Sequence, residues 1–283
     1  MEKYCDLHVH SYCSDGSFSP TELIERAKGL GLSAVALCDH NTIMGVKEFL
    51  AAAKSAGIEG IAGVEFSTEY KGHELHILGL DIPETECEKV DMWVAGMRRR
   101  KKESNLLLIE NLQKDGYTIT YEEVAKKSVG EPNRAHVATA LWEKGYVSSV
   151  QEAFKTLLYP GGKYYVEPRL LNVFDTIAFI KSIGGIAVWA HPFLSVNEEV
   201  VREFLPLAIG YGLDGMETQY TKYSEETTEI AKGIAIEFGL LESGGSDFHG
   251  LAKPGVEMGT GKGNLKIPLS VWENLKTKGA GTR

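Results

Sequence analysis

Short apolar runs alternate with amphipathic, well-capped helical segments in two separate stretches of the 283-residue chain, and this alternation restricts the fold more than any other feature. Tyr4–Val9 reads as a strand, and Ser19-Pro20-Thr21-Glu22 then gives a capping box with proline at the first helical position, opening a helix to about Gly31. Ala34–Cys38, Gly60–Phe66 and Glu74–Leu80 read as further strands; a helix from about Met44 to Ala56 lies between the first two, and the Lys71-Gly72 turn leads into the third. The pattern resumes with helices near Phe174–Ser182, Glu198–Leu207 and Glu225–Phe238, each leading to a strand: Ile186–Ala190, Asp214–Glu217 and Leu241–Gly244. Ser270-Val271-Trp272-Glu273 reads as a second capping box, opening a last helix. About seven strands, most followed by helices, predict an α/β fold with a largely parallel barrel or sheet. Residues 88–169 are mostly helical in pattern and lack the alternation. They are expected to form an insertion that recognises substrate, beside a barrel domain built from 1–87 and 170–283.

Composition narrows the setting. No apolar run approaches the roughly 20 residues that span a bilayer, and Met1–Asp6 runs straight into the first strand without the pattern of a signal peptide. Cys5, Cys13, Cys38 and Cys87 show no paired metal spacing, so reduced thiols in a cytoplasmic protein are expected. A formal net charge of −9 disfavours duplex nucleic acid as a partner, though bound cations can reverse the local sign for a small anion. The one basic block, Arg98 to Lys102, is expected to be the solvated face of a helix.

The chemistry sits at the strand ends. In His8-Val9-His10 the two imidazoles lie two residues apart and point to one side of a strand, and Asp15 follows in a loop that can turn back over them. Far along the chain, Ser243-Gly244-Gly245-Ser246-Asp247-Phe248-His249 places a carboxylate and an imidazole just past another apolar run. Its glycines allow close backbone approach. His40 ends the second strand, Glu65 lies at the end of the third, His76 within the fourth and His191 after the fifth. Six of the eight histidines occupy such positions. Side chains at the carboxyl ends of barrel strands converge on one face, so the pattern points to a shared metal site rather than to scattered core histidines.

The series His8-x-His10, Asp15-Gly16, Asp39-His40, Gly63-Val64-Glu65, His76-Ile77-Leu78-Gly79, Ala190-His191-Pro192 and Ser246-Asp247-x-His249 closely resembles the polymerase and histidinol phosphatase (PHP) family. The likeness is greatest to its stand-alone bacterial phosphoesterases acting on nucleoside phosphates and RNA 5′ ends. Asn133-Arg134-Ala135-His136 in the helical stretch resembles the Arg-x-His segment of that branch. The resemblance implies a distorted seven-stranded (βα) barrel with a trinuclear site. His8, His10, Glu65 and Asp247 would hold one ion; Glu65 would bridge to a second on His76 and His191; Asp15, His40 and His249 would hold the third. Asn41 stands where relatives commonly carry aspartate, a departure that spares the ligands.

Three divalent ions set against Asp15, Glu65, Asp247 and a bridging hydroxide leave roughly +2 to meet a phosphomonoester dianion, the hydroxide being the expected nucleophile. Imidazole and carboxylate ligands suit Zn, Mn or Fe equally. Arg134 is expected to grip phosphate, and His136 to help bind it or protonate the leaving oxygen. Asp39 and Glu217 are candidates to orient ligand histidines, and Glu217 could equally touch substrate. Phe193, Tyr220 and Tyr223 could stack on a base but read more simply as rim packing, and His73 reads as exposed or supporting. The expected substrate is a nucleotide or a short single-stranded RNA or DNA end. A histidinol-phosphate-type phosphatase, a metal-dependent amidohydrolase and a non-catalytic accessory domain are the alternatives. Gly259-Thr260-Gly261-Lys262-Gly263 fails the phosphate-cradling P-loop pattern, since no Ser or Thr follows Lys262.

Overall fold

A strand in a closed sheet buries both faces, and the first strand, β1 (Cys5–Val9), is buried along its whole length. It belongs to a computed structural model in which residues 2–128 and 132–280 are described. The chain continues through α1 (Pro20–Gly29), β2 (Ala34–Leu37), α2 (Val46–Ala56), β3 (Glu59–Tyr70) and β4 (His73–Leu80). After the helical stretch come β5 (Leu171–Asn172), α7 (Val173–Ser182), β6 (Ile186–Ala190), α8 (Pro192–Ser195), α9 (Glu198–Gly210), β7 (Gly215–Tyr220), α10 (Glu225–Glu237), β8 (Leu241–Gly245) and α11 (Leu269–Ala280). Between them lie α3 (Cys87–Lys114), α4 (Tyr121–Ala125), α5 (Arg134–Glu143) and α6 (Val150–Thr156).

The strands run β1-β2-β3-β4-β6-β7-β8, with the two-residue β5 paired to β3 outside this path. A bridge between Val9 and Phe248, with Asp247 N–H donating to His8 O and His10 N–H to Phe248 O, nearly closes the seven into a barrel. The expected α/β barrel is therefore present, but it is not uniformly parallel: β4 is antiparallel to both β3 and β6. The short path from β3 through Lys71-Gly72 allows only a hairpin, and both turn residues take the positive φ that such a turn requires (49° and 80°). Because β4 runs backwards, its beginning lies at the mouth where its neighbours end. That is why His76, near the start of its strand, joins groups at the ends of the others.

Alternate strand residues divide the barrel into an inner layer, including Leu7, Ala36, Leu78 and Val188, and outer layers covered by helices. Register breaks alter this alternation at two places. On β1 the pairing to β2 slips between Asp6 and Val9, so Val9 packs outward against the α1 and α2 core while Cys5 and Leu7 face inward. On β7 it slips between Glu217 and Gln219. The capping box at Ser19 forms as expected, whereas Ser270 lies inside the first turn of α11, which begins one residue earlier, and does not cap it. The long α3 is shared: Val90 and Val94 pack into the barrel's outer core, while Leu108, Ile109 and Leu112 belong to a separate core with Val137, Leu141 and Leu158. Among the described residues no helix is long and apolar enough to cross a membrane.

Candidate metal centre

His8 and His10 are fully buried at the end of β1, and the chain beyond β8 brings Asp247 and His249 against them. This contact requires a glycine: a Cβ on Gly245 would lie 2.3 Å from His8 Cβ. Gly16 has the same role on the opposite loop, where a Cβ would fall 2.3 Å from His10 O. Asn41, His191 and Asp247 take positive φ (53°, 33° and 55°), so three non-glycine residues at the mouth hold sparsely populated backbone conformations.

Glu65, buried at the mouth, is the hub. Its two oxygens meet five imidazoles: His8 at 3.3 Å, His10 at 3.3 Å, His40 at 3.0 Å, His76 at 2.7 Å and His191 at 3.0 Å. Asp247 Oδ1 lies 3.2 Å from His10 Nε2, and Asp15 Oδ1 lies 3.2 Å from His249 Nε2. All nine expected ligands thus meet in one pocket. The donor atoms fall into four overlapping sets, each compact enough for one cation: His10, Asp15, His40 and His249; His8, Glu65 and His191; His8, His10 and Asp247; His40, Glu65 and His76. His76 and His191 join different sets here, where the resemblance places them on a single ion.

The donor chemistry fits divalent cations. His8 Nε2, both ring nitrogens of His10, His40 Nδ1, His249 Nε2 and Glu65 Oε2 are buried and lack a hydrogen-bond partner among the described residues. Such atoms are costly when buried unless something else satisfies them, and a cation can satisfy several at once. Supporting groups fix the tautomers. Glu217 accepts from His8 Nδ1 at 2.9 Å and from the His191 backbone N–H at 2.7 Å, which leaves His8 Nε2 free. Because Glu217 is fully buried, it positions two histidines and has no access to substrate. Glu74 lies 3.2 Å from His76 Nε2, and the Asp247 carbonyl 2.9 Å from His249 Nδ1. Asp39 does not reach a histidine. It accepts from Ser11 N–H, Ser11 Oγ and Ser14 Oγ at 2.8, 2.6 and 2.6 Å, and so braces the loop that carries Asp15.

Charge is distributed accordingly. Burial alone would raise the Asp15, Glu65 and Asp247 carboxyls; the imidazoles of His249 and His40 around Asp15, those of His40, His76 and His8 around Glu65, and Lys253 beside Asp247 hold them well below the usual carboxylate range. His8 is buried too, which lowers its affinity for a proton, yet Glu65 and Glu217 raise it well above the ordinary histidine value. His10 falls well below that value, through burial and the neighbouring His249.

A cavity of about 600 Å³ opens from this cluster. Asp15, His40 and His76 lie on one wall; Arg98, Lys101, Arg134 and Tyr165 come from the helical stretch. The basic block is therefore divided by helical periodicity. Arg98 and Lys101, three residues apart, face the cavity, and Arg99 points to solvent beside Glu103. The Arg134 guanidinium stacks 4.2 Å from the Tyr165 ring. His136 completes a capping box at the start of α5, its Nδ1 accepting from the Asn133 N–H at 3.1 Å, and burial lowers its proton affinity. Sequence reasoning missed Glu74, Lys101, Lys253 and the role of Tyr220. Lys253 Nζ and Tyr220 Oη both donate to Asp247 Oδ2 at 2.8 Å, so Tyr220 supports a ligand instead of stacking on a base. Glu74 was detectable from its i, i+2 relation to His76; Lys253 lies in an irregular loop with no pattern to mark it. Tyr223 accepts from the Phe193 N–H, which agrees with rim packing, and His73 is exposed.

Known proteins resemble this chain in sequence and in fold. A 5′-3′ exoribonuclease of Haemophilus influenzae is 36% identical over 276 residues, spanning 97% of this chain and 100% of its own length. A 3′,5′-nucleoside bisphosphate phosphatase of Chromobacterium violaceum is 29% identical over 277 residues, 96% of each chain. The crystal structure of a Bifidobacterium adolescentis protein, provisionally assigned as a metal-dependent phosphoesterase, superposes with a TM-score of 0.87 at 27% identity, covering 98% of this chain and 96% of that one. The PHP domain profile matches residues 6–167, and with the strand-end histidines gathered on Glu65 the chain belongs to the PHP domain family.

Proposed function

We propose that this enzyme is a metal-dependent phosphoesterase that hydrolyses the terminal phosphate ester of a nucleotide or of a short single-stranded RNA or DNA end. The observation that carries the reading is the cavity. It joins an acidic, histidine-rich wall suited to cations with a basic and aromatic wall suited to a phosphorylated nucleoside. His8, His10, Asp15, His40, Glu65, His76, His191, Asp247 and His249 would hold two or three divalent ions. When bound, these supply Lewis acidity that activates water and neutralises charge on the phosphoryl oxygens. Arg134, preorganised by its stacking on Tyr165, orients the phosphate and so limits the geometries from which attack is possible. His136, two residues further along the same helix, would help bind the phosphate through Nε2 as a neutral donor, because its Nδ1 accepts from the Asn133 N–H and burial disfavours its charged form. Residues 88–169 act as the substrate-recognition insertion on a barrel made of 1–87 and 170–283.

The test is a phosphate-release screen of the metal-loaded enzyme over nucleoside 5′- and 3′-monophosphates, 3′,5′-bisphosphates, 5′-phosphorylated short oligonucleotides and histidinol phosphate. Release from the nucleotide series, abolished by chelation and restored by Mn²⁺, Zn²⁺ or Fe²⁺, is expected. Release from histidinol phosphate alone would overturn the substrate class. Arg134→Ala should lower kcat/KM by about 100-fold, in line with loss of a charged phosphate contact, while bound metal stays constant.

A further inference from the structure

The Asn41 carboxamide can adopt only one orientation. The Ser67 backbone N–H donates to Asn41 Oδ1 at 2.8 Å, which turns Asn41 Nδ2 toward the Ser67 hydroxyl, 3.0 Å away. An amide nitrogen only donates, so Ser67 Oγ accepts. Lys101 Nζ lies 2.9 Å from the same oxygen, and an ammonium has no lone pair to offer. Both acceptor positions of Ser67 Oγ are filled, and its own proton must go to a third group. Among the described residues no acceptor takes that proton. Ser67 lines the cavity beside His76, its cross-strand partner, and lies on the Glu65 face of β3, two residues further along.

We infer that Ser67 is a substrate-binding residue that donates its O–H to an anionic phosphoryl oxygen. Asn41 aims the proton, and Lys101 makes the hydroxyl a stronger donor by polarising its oxygen. The inference rests on the phosphoesterase reading and adds to it a neutral donor facing the ligand's oxyanion. It also gives the carboxamide at position 41 a reason. An aspartate there would keep the bond to Ser67 N–H with one oxygen, but its other oxygen would accept the Ser67 proton and withdraw it from the cavity.

Binding of inorganic phosphate to the metal-loaded enzyme, followed by calorimetry with metal content checked for each variant, tests this directly. Ser67→Ala should weaken phosphate binding about ten- to a hundred-fold, the loss expected for a hydrogen bond to a charged group, with metal content and Tm unchanged. Asn41→Asp should weaken it similarly, and the double variant should bind no worse than Ser67→Ala alone, since both changes remove one donor. Wild-type affinity in Ser67→Ala would overturn the assignment. So would a double variant markedly weaker than Ser67→Ala, because the introduced carboxylate would then act by repelling the anion, and so would a wild-type enzyme that binds no phosphate. Phosphate binding that depends on Ser67, in an enzyme that hydrolyses none of the nucleotides, would sink the proposed function and leave this assignment standing.

Discussion

Glu65 cannot satisfy five imidazoles through hydrogen bonds alone, and in the metal-free chain its charge favours a proton on His8 and on His76. His76 shows the consequence. Burial opposes its charge, but Glu65 and Glu74 prevail and raise it to about 10, from an ordinary value of 6.5. A histidine must be neutral to coordinate, so metal loading near pH 7.5 should release protons from His76 and His8, and metal affinity should fall as pH falls. Calorimetric titrations in buffers of different ionisation enthalpy measure this, with release of at least about one proton per chain expected. Without metal the same shift has the opposite consequence for stability. The His76 contribution is fully present below about pH 6.5 and is lost as pH rises through about 10, so the Tm of the metal-free chain should decline across that window. Glu217 acts one step back from the proposed ligands, on His8 Nδ1 and the His191 backbone N–H. Glu217→Gln keeps the shape but supplies a weaker acceptor to His8 Nδ1, and metal affinity measured by chelator competition should drop about ten- to a hundred-fold.

At the scale of elements, the reversed β4 and the slipped registers of β1 and β7 decide which side chains reach the mouth. On β7 the slip brings Glu217 and Tyr220, three residues apart, to the same centre, where they contact His8 and Asp247. The helical stretch contributes its own core, and α3 couples that core to the barrel. Leu141 is fully buried in the helical core, and Leu141→Ala should destabilise it by about 2–5 kcal/mol through lost packing and a residual cavity. Because Arg134 starts the same helix, KM should rise while metal content, set by the barrel, stays constant. A fall in metal content instead would show that the two cores do not behave separately.

For the whole molecule, the site joins the two ends of the barrel. His8 lies on its first strand and His10 just past it, Asp247 and His249 follow its last strand, and a cation held between them would clasp the seam. Metal at about 100 times its dissociation constant should stabilise the fold by about 2.7 kcal/mol, and chelation should lower Tm by roughly 5 °C or more. An unchanged Tm on chelation would mean that the seam is held by Val9, Phe248 and their backbone bonds alone.

How much of this was legible depended on how local the cause was. Apolar periodicity, the Ser19 capping box and the strand-end positions of six histidines are set within a few residues by backbone geometry. From them the sequence alone determined an α/β fold with a largely parallel barrel or sheet and a set of histidines at its strand ends, while the distorted seven-stranded barrel and the nine-residue ligand set came from the family resemblance. The run of β4 back along β3 follows from the short Lys71-Gly72 turn, but its antiparallel pairing with β6 was not legible, because that neighbour is joined to it by no local connection. The inward and outward parts of the Arg98 to Lys102 block depended on where α3 packs, and the roles of Glu217, Asp39, Tyr220 and Lys253 depended on partners up to 209 residues away. Those roles were decided only by the tertiary structure. A buried carboxylate must be satisfied by whatever donors the closed barrel brings to it, and no local pattern encodes that company.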